Sequence, residues 1–400
     1  MSFKSSLISF TDTIRFGKMF LISIGMDPYP MDASSTGRTV TTGLFYELGL
    51  WNLRCCDFFY VVYLYLAIKN SMNLMDSTIS LPCLISCVLS EFKVTILRRK
   101  RDQFIEILEF LDEKFPTRKA EQDYYGIVEV HRATKRMSII LAIGVSMFIW
   151  SFNLLPLCEG VISVVAYGNN FTYPLPYAMW HPFRTDRIIA YVGVNIQLIF
   201  AGYVVAQYYI GVDSLMFTIT NQICMHFDYI SRSIRDYHPK GAKKDYIFLK
   251  EIIERHVEVL RICKSIDFVF TNSMLMNFLG SAGIICLVAF RVTLSDFSAD
   301  LVKFIIYLLS MIIQIFILCS FGDRLIQSSL AVSQAVYEHD WYDADQLYKK
   351  AMILIIQRAQ KPAFLTASYF SVVSYQSFKG IMTISYQFFA VLHTAYSKKN

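Results

Sequence analysis

The sequence predicts an all-α fold, a bundle of seven transmembrane helices whose N-terminus lies in the cytosol. Of its 400 residues 54% are hydrophobic and only 18% are charged, below the ~25% that is typical of soluble chains. The apolar residues cluster into runs close to the ~20 residues that cross a bilayer. The loops between these runs alternate between strongly basic and nearly uncharged, as expected of a chain that crosses repeatedly.

The N-terminal segment precedes the first apolar run and is too polar for the uninterrupted apolar core of a cleaved signal peptide. Its apolar residues are spaced along a polar background, a pattern that suits a short helix lying on the membrane surface. They are Ile8, Phe10, Ile14, Phe16, Met19 and Phe20.

Six apolar runs follow and predict the first six spans. They cover about 49–68, 79–96, 137–166, 188–217, 268–290 and 301–321. Short polar connections join the first span to the second and the fifth to the sixth, so each of these pairs is antiparallel.

The C-terminal part predicts an amphipathic cytosolic helix over 331–360 and a last apolar helix over 368–396. Apolar residues recur at steps of three and four in the first of these, at Trp341, Ala344, Leu347, Tyr348, Ala351 and Ile355. Pro362 then ends the helical pattern, since proline cannot donate the hydrogen bond that a helix interior needs. Three parts result: 1–217 with the surface helix and spans one to four, 218–362 with spans five and six and cytosolic anchor helices, and 363–400 with the final helix.

The loops carrying most of the lysine and arginine should be cytosolic. These are the stretches after spans two and four. The loop between spans three and four has only Arg184 and Arg187, and the loop between spans five and six has only Arg291 and Lys303. The sequon Asn170-Phe171-Thr172 falls in a predicted external loop, so Asn170 is a candidate glycosylation site.

Soluble functions find little support in the sequence. No HExxH, GxSxG, GxGxxG or P-loop pattern occurs, so we expect no enzyme and no cofactor. The basic residues lie in loops and form no stripe for nucleic acid, and the cysteines lack metal-ligand spacing. His339, Asp340, Asp343 and Asp345 could hold a divalent metal, but acidic residues also favour a helix N-terminus, and we expect no metal there.

The final helix has one face of mostly small and polar residues, interrupted by an apolar residue, Val391. That face carries Gly380, Thr383, Ile384, Gln387, Val391, Thr394 and Ala395. The opposite face is bulky, with Met382, Tyr386, Phe389 and His393. A polar stripe with a narrow apolar ring suits an ion pore that closes by excluding water. Hydrogen bonds between helices within one subunit would need the same residues, and the pattern alone leaves both readings open.

A ligand cavity is expected between the outer halves of spans two to four, where a few polar groups lie among aliphatic and aromatic residues. The candidates are Ser86, Cys87, Ser146, Met147, Trp150, Asn195, Ile199 and Tyr203. Such a cavity would take a small, largely apolar organic molecule. Ordinary packing of the bundle is the alternative for each of these residues.

The C-terminal third resembles the signature end of insect odorant receptors. The matching residues are Arg358, Gln360, Lys361, Pro362, Leu365, Thr366, Ala367, Phe370, Phe378, Ser385, Tyr386, Phe388, Val391 and Leu392. Similar marks are Leu175-Pro176-Tyr177, Trp180 and Pro182 before span four, and His256 before span five.

The resemblance implies a heterotetrameric, non-selective cation channel in the plasma membrane of olfactory sensory neuron dendrites. A tuning subunit like this one would assemble with a shared co-receptor and open when a volatile odorant binds. The final helices would line the pore as a tetramer, with Val391 at the gate and Ala395 one turn outward, where a larger apolar residue can occur. His256, Tyr337 and Trp341 would belong to the inter-subunit anchor.

Three other classes compete with this reading. Gustatory receptors tend to end in a Thr-Tyr-x5-Gln-Phe pattern, which the stretch Ser385-Tyr386-Gln387-Phe388-Phe389 does not reproduce. A G-protein-coupled receptor needs the opposite orientation, and neither Asp-Arg-Tyr after span three nor Asn-Pro-x-x-Tyr in span seven is present. A lipid-modifying membrane enzyme would need an intramembrane pair of histidine and carboxylate, which the spans lack.

Overall fold

The computed structural model describes residues 7–28, 36–69, 74–167, 173–185, 187–295 and 299–398, most of which are helical. The helices are α1 (Phe10–Ser23), α2 (Thr36–Lys69), α3 (Leu74–Arg99), α4 (Arg101–Glu113), α5 (Lys119–Tyr125), α6 (Ile127–Tyr167), α7 (Ile188–Asp236), α8 (Ala242–Leu294), α9 (Ala299–Glu338), α10 (Gln346–Ala359) and α11 (Tyr375–Ser397). A short 3₁₀ turn, Trp341–Asp343, and a hairpin of β1 (Thr366–Ala367) and β2 (Ser371–Val372) complete the described chain.

Seven helices, α2, α3, α6 to α9 and α11, contain the seven predicted crossings. Among the described residues, five of them are long and apolar enough to cross a membrane by length and composition alone: Ser80–Arg99, Ile127–Val165, Ile188–Asp236, Lys243–Leu294 and Asp300–Glu338. The helices α2 and α11 are more polar, because α2 contains Arg54 and Asp57 and α11 carries its polar face. The chain is therefore a multi-pass membrane protein built as a seven-span bundle.

Helix α7 lies at the centre of the bundle. It contacts α1, α2, α3, α6, α8 and α9, and every residue from 208 to 227 is buried. Over this stretch the helix has no exposed face, and polar residues such as Asp213 and Asn221 are buried there together with the apolar ones.

Helix α1 packs against α7, whereas the sequence predicted a helix lying on the membrane surface. Phe10, Ile14 and Leu21 are at most 2% exposed. The close approach depends on glycine, since a Cβ on Gly17 would lie 2.9 Å from Leu215 Cγ and one on Gly211 would lie 2.7 Å from Leu21 Cγ. The helix is amphipathic as predicted, and its apolar face packs against α7.

The predicted amphipathic helix over 331–360 is broken into two. Helix α9 ends at Glu338, and α10 starts after Asp345, whose Oδ1 accepts a 2.8 Å hydrogen bond from the Tyr348 backbone amide. Nε2 of His339 lies 2.7 Å from the Tyr348 hydroxyl, and burial lowers the pKa of this histidine. Asp345 of the acidic cluster thus caps α10. The described residues contain no group of three histidine, cysteine, aspartate or glutamate side chains that could hold a metal ion.

A hairpin replaces the first turns of the predicted final helix. Ser368 and Tyr369 have positive φ angles of 48° and 64°, which excludes a helix there. The Asp267 carboxylate in α8 accepts a 2.6 Å hydrogen bond from the Thr366 amide, and Val373 N donates to Leu365 O at 2.8 Å. These contacts fix the start of α11, at Tyr375, against α8 and α9.

Candidate functional site

A small apolar cavity lies between α2, α3, α6 and α7, under the segment that follows α6. Its wall consists mainly of aliphatic, aromatic and thiol side chains. The lining residues are Cys56, Tyr60, Cys83, Ser86, Cys87, Phe148, Ile149, Tyr177, Met179, Leu198, Ala201, Gly202 and Val205. A wall with so few polar groups favours an uncharged, largely apolar ligand.

The Ser86 hydroxyl is the clearest polar group of this wall, and it is already paired. Its Oγ lies 2.6 Å from the Tyr307 hydroxyl of α9. The Tyr307 hydroxyl donates its proton to the Pro82 carbonyl at 3.0 Å, so it accepts from Ser86. The Tyr307 ring stacks on Phe148 with their centroids 4.0 Å apart. A ligand that moves Ser86 or Phe148 therefore also moves a side chain of α9.

The cavity measures about 30 Å³, far below the ~300–1,000 Å³ of pockets that hold drug-sized ligands. An odorant-sized molecule can enter only if the surrounding helices separate. A ligand that binds in such a cavity therefore stabilises the arrangement in which the helices have separated over the closed one.

Two of the eight predicted ligand residues, Ser86 and Cys87, line this cavity. Helix α6 instead contributes Phe148 and Ile149, while Met147 is 54% and Trp150 40% exposed. Each helical residue turns the side chain by ~100°, so the predicted α6 face, with Ser146, Met147 and Trp150, is rotated from the lining one.

The predicted face of α7 is also displaced from the cavity. Asn195 is buried and donates from Nδ2 to the Tyr191 carbonyl at 2.9 Å, while Ile199 and Tyr203 are half-buried outside the lining. Leu198, Ala201 and Gly202 take the lining positions. The sequence analysis missed Gly202, although a glycine inside an apolar helix indicates that another helix approaches closely. A Cβ added at this position would lie 2.8 Å from Asn153 Nδ2.

The polar face of α11 points away from its own bundle. Ile381 and Ser385 form the buried side, where Ser385 Oγ donates to Ile381 O at 2.8 Å and to Ala282 O at 3.2 Å. The six predicted pore residues are all exposed on the single chain: Thr383, Ile384, Gln387, Val391, Thr394 and Ala395. Thr383 and Thr394 bond only to carbonyls of α11 itself. This face is therefore largely exposed on the single subunit, and its role as a pore lining stays a prediction.

The three predicted anchor residues occupy different environments. Tyr337 is 75% exposed near the end of α9, and Trp341 is half-buried. His256 is only 4% exposed, with its ring edge against Phe227 at 6.1 Å. His256 therefore lies on the buried face of α8 in the single subunit, and the anchor role of the three residues stays a prediction. Asn170, the predicted glycosylation site, lies outside the described residues.

A buried polar group that the sequence did not reveal lies below the apolar cavity. Lys93 of α3 is 1% and Asp213 of α7 is 2% exposed, and the Lys93 ammonium donates to both carboxylate oxygens at 2.8–2.9 Å. Gln314 of α9 donates to the same carboxylate at 2.9 Å. Lys93 lies inside the predicted second span, near the C-terminal end of α3.

Comparisons with known proteins agree on one family. A profile of the seven-transmembrane odorant receptor family matches residues 73–386. Odorant receptor 85b of Drosophila melanogaster is 28% identical over 96% of this chain and 99% of its own, and odorant receptor 67c of the same fly is 27% identical over 97% of both chains. The structure of olfactory receptor OR5 from Machilis hrabei in complex with eugenol superposes with a TM-score of 0.81 at 17% identity, covering 96% of this chain and 97% of that one.

Proposed function

Because the chain belongs to the seven-transmembrane odorant receptor family, we propose that it is the odorant-binding tuning subunit of a heterotetrameric, ligand-gated, non-selective cation channel. Its partners are a shared co-receptor, a small volatile odorant and the lipid bilayer. It works in the plasma membrane of olfactory sensory neuron dendrites.

The observation that carries the channel proposal is the exposed polar face of α11. A polar stripe that stays exposed on its own subunit suits a water-filled path shared with neighbouring subunits. Val391, 66% exposed on that stripe, is the apolar residue suited to close the path by excluding water.

The ligand proposal rests on the small apolar cavity. The relative from Machilis hrabei was solved with eugenol, a small organic molecule, and a ligand of that class matches the apolar wall around Phe148 and Ile149. Opening of the pore then follows from preferential binding to the expanded bundle, which shifts the closed-to-open equilibrium. The contact of Ser86 and Phe148 with Tyr307 gives the cavity a direct link to α9, and α9 packs on α11.

The decisive test is an odorant panel applied to cells that express the chain with and without a co-receptor. We expect agonist-evoked cation current in the co-expressing cells, unchanged when a non-hydrolysable GDP analogue fills the recording pipette. Current that disappears with the GDP analogue would instead support a G-protein-coupled mechanism.

A further inference from the structure

The hairpin before α11 is tied to α8 by a chain of hydrogen bonds whose directions are fixed. Thr366 Oγ1 donates its only proton to the Asp267 carboxylate at 2.9 Å, so it accepts from Thr271 Oγ1 at 3.0 Å. Thr271 Oγ1 in turn accepts from the Ser368 amide at 2.7 Å. Each hydroxyl therefore donates once and accepts once, and the cytosolic end of α11 is held to α8.

The first turn of α11 is fixed to α9 as well. Val373, two residues before the helix, packs where α9 has Gly322, and a Cβ at Gly322 would clash with the Val373 carbonyl. One turn further, the Phe378 ring meets Phe316 of α9 edge-on, with the centroids 5.5 Å apart. The base of α11 therefore moves together with α8 and α9.

The outer part of α11 is held much less tightly. In the described single subunit no residue from 386 to 398 is buried, and this part carries Val391. Tyr396 meets Phe290 of α8 edge-on at a centroid distance of 5.8 Å, and contact between rings tolerates sliding more readily than a directional hydrogen bond does. If Val391 moves while the base stays in place, the helix must bend between them.

Gly380 lies between these two parts of α11, and packing within the subunit does not require a glycine there. A Cβ added at Gly380 would meet no atom of the described chain within 4 Å, and the residue is not among the glycines with positive φ. Gly322 differs in this respect, because Val373 leaves no room for a side chain. Glycine weakens a helix interior relative to alanine through its greater backbone freedom. A helical glycine without a close neighbour therefore indicates a point of flexibility.

Two hydroxyl groups near Gly380 can replace backbone hydrogen bonds that a bend would weaken. Thr383 Oγ1 donates to the Lys379 carbonyl at 2.9 Å, and Ser385 Oγ donates to the Ile381 carbonyl at 2.8 Å. Hydroxyls bonded to the preceding turn often accompany bent helices. Inside a membrane they also keep carbonyls satisfied where the helical ladder opens. Both carbonyls next to Gly380 thus retain a donor if the helix bends.

We propose that Gly380 is the point at which α11 bends when the channel opens, so that Val391 moves away from the pore axis while the base of α11 stays fixed. The straight α11 belongs to the closed state, because the apolar cavity of the same structure, at about 30 Å³, is too small for an odorant. The proposal rests on the proposed channel function and assigns a positioning residue to it.

The test is Gly380→Ala, expressed with a co-receptor and compared with the wild type by odorant dose–response curves. Alanine favours the straight helix, so we expect the half-maximal odorant concentration to rise about fivefold, the ratio that corresponds to ~1 kcal/mol. Gly193→Ala is the matched control, because a Cβ at this position of α7 also meets no described atom within 4 Å, and its dose–response curve should not shift.

The same recordings separate this proposal from the proposed function. Normal wild-type current with an unshifted curve for Gly380→Ala would overturn the bend alone. A wild-type chain that passes no odorant-evoked current would overturn the channel function and the bend with it.

Gly380→Pro distinguishes a bend from close packing by a neighbouring subunit. Proline removes an amide proton from the helical ladder and kinks the helix, so a bend at this position predicts a several-fold higher basal current without odorant. Close packing predicts instead that alanine and proline both lower the current and the co-purification with the co-receptor, a result that would overturn the proposal.

Thr383→Val decides the question if Gly380→Pro does not reach the cell surface. Valine keeps the shape of threonine but lacks the hydroxyl that holds the Lys379 carbonyl. The bend then costs more, and the half-maximal odorant concentration should rise about threefold. Close packing predicts no shift, since the volume of the side chain is unchanged, and an unshifted curve would overturn the proposal.

Discussion

The ammonium group of Lys93 lies 2.8 Å from Oδ2 of Asp213, and neither side chain is more than 2% exposed. This pair joins α3 to α7 inside the membrane, and Gln314 adds α9 to the same carboxylate. Removing one member of a buried pair leaves an uncompensated charge, which is far more costly than removing both.

We therefore expect Lys93→Met to destabilise the subunit by about 3–5 kcal/mol, and the double variant Lys93→Met/Asp213→Leu to recover most of that loss. The thermal unfolding midpoint of the detergent-purified chain measures both effects. Arg235→Met is the control, because it breaks an exposed pair with Glu338 that also joins two helices, and it should change the midpoint far less. If the double variant were as unstable as Lys93→Met, the loss of stability would not come from an uncompensated charge alone.

The wall of the apolar cavity predicts a contrast between two adjacent residues of α6. Ile149→Ala should enlarge the cavity and weaken ligands that fill it about 10- to 60-fold, because two to three buried methylene equivalents of ~0.8 kcal/mol each are lost. Larger ligands should gain relative potency. Dose–response curves for a graded series of ligands measure the change.

Trp150→Ala is the matched control for that experiment. Its side chain is 40% exposed and lies outside the lining, so the rank order of ligands should stay as in the wild type. If Trp150→Ala changed the rank order of ligands and Ile149→Ala did not, the ligand would bind at the face of α6 that the sequence predicted.

The exposed face of α11 predicts the position of the gate. Val391→Ser should raise the basal current several-fold in the absence of odorant, because a polar ring no longer excludes water from the pore. His393→Ser changes an exposed residue at nearly the same height but off the polar face, and it should leave the basal current unchanged. Whole-cell recording before odorant application measures both. Similar leak in the two variants would indicate a general defect of α11.

Tyr337 is exposed and His256 is buried, so substitutions at these two residues should affect subunit association and subunit stability separately. Tyr337→Ala removes an exposed side chain and should lower co-purification with the co-receptor without changing the thermal midpoint of the isolated subunit. His256→Ala should do the reverse, since it leaves a cavity in the buried face of α8. Loss of thermal stability in Tyr337→Ala would argue that its ring stabilises the subunit itself.

The sequence by itself determined the seven helices, because length and hydropathy of a span are local properties that the bilayer imposes on each segment separately. It also determined the polar face of α11, because the residues that share one face of a single helix follow from the helical period alone. Both expectations agree with the structure, with α11 beginning after a hairpin at residues 366–372.

Only the tertiary structure decided which face of each helix meets which neighbour. A step of one residue turns a side chain by ~100°, so Ile149 lines the cavity and Trp150 faces outward, and nothing in the local pattern distinguishes these two apolar positions. Lys93 and Asp213 are 120 residues apart, and their pairing depends in the same way on helix packing. The hydrogen bond from Asn221 Nδ2 to Thr134 Oγ1 depends on it too. Charge and polarity identify such residues as costly to bury, but only the arrangement of the bundle supplies the partner that makes burial possible.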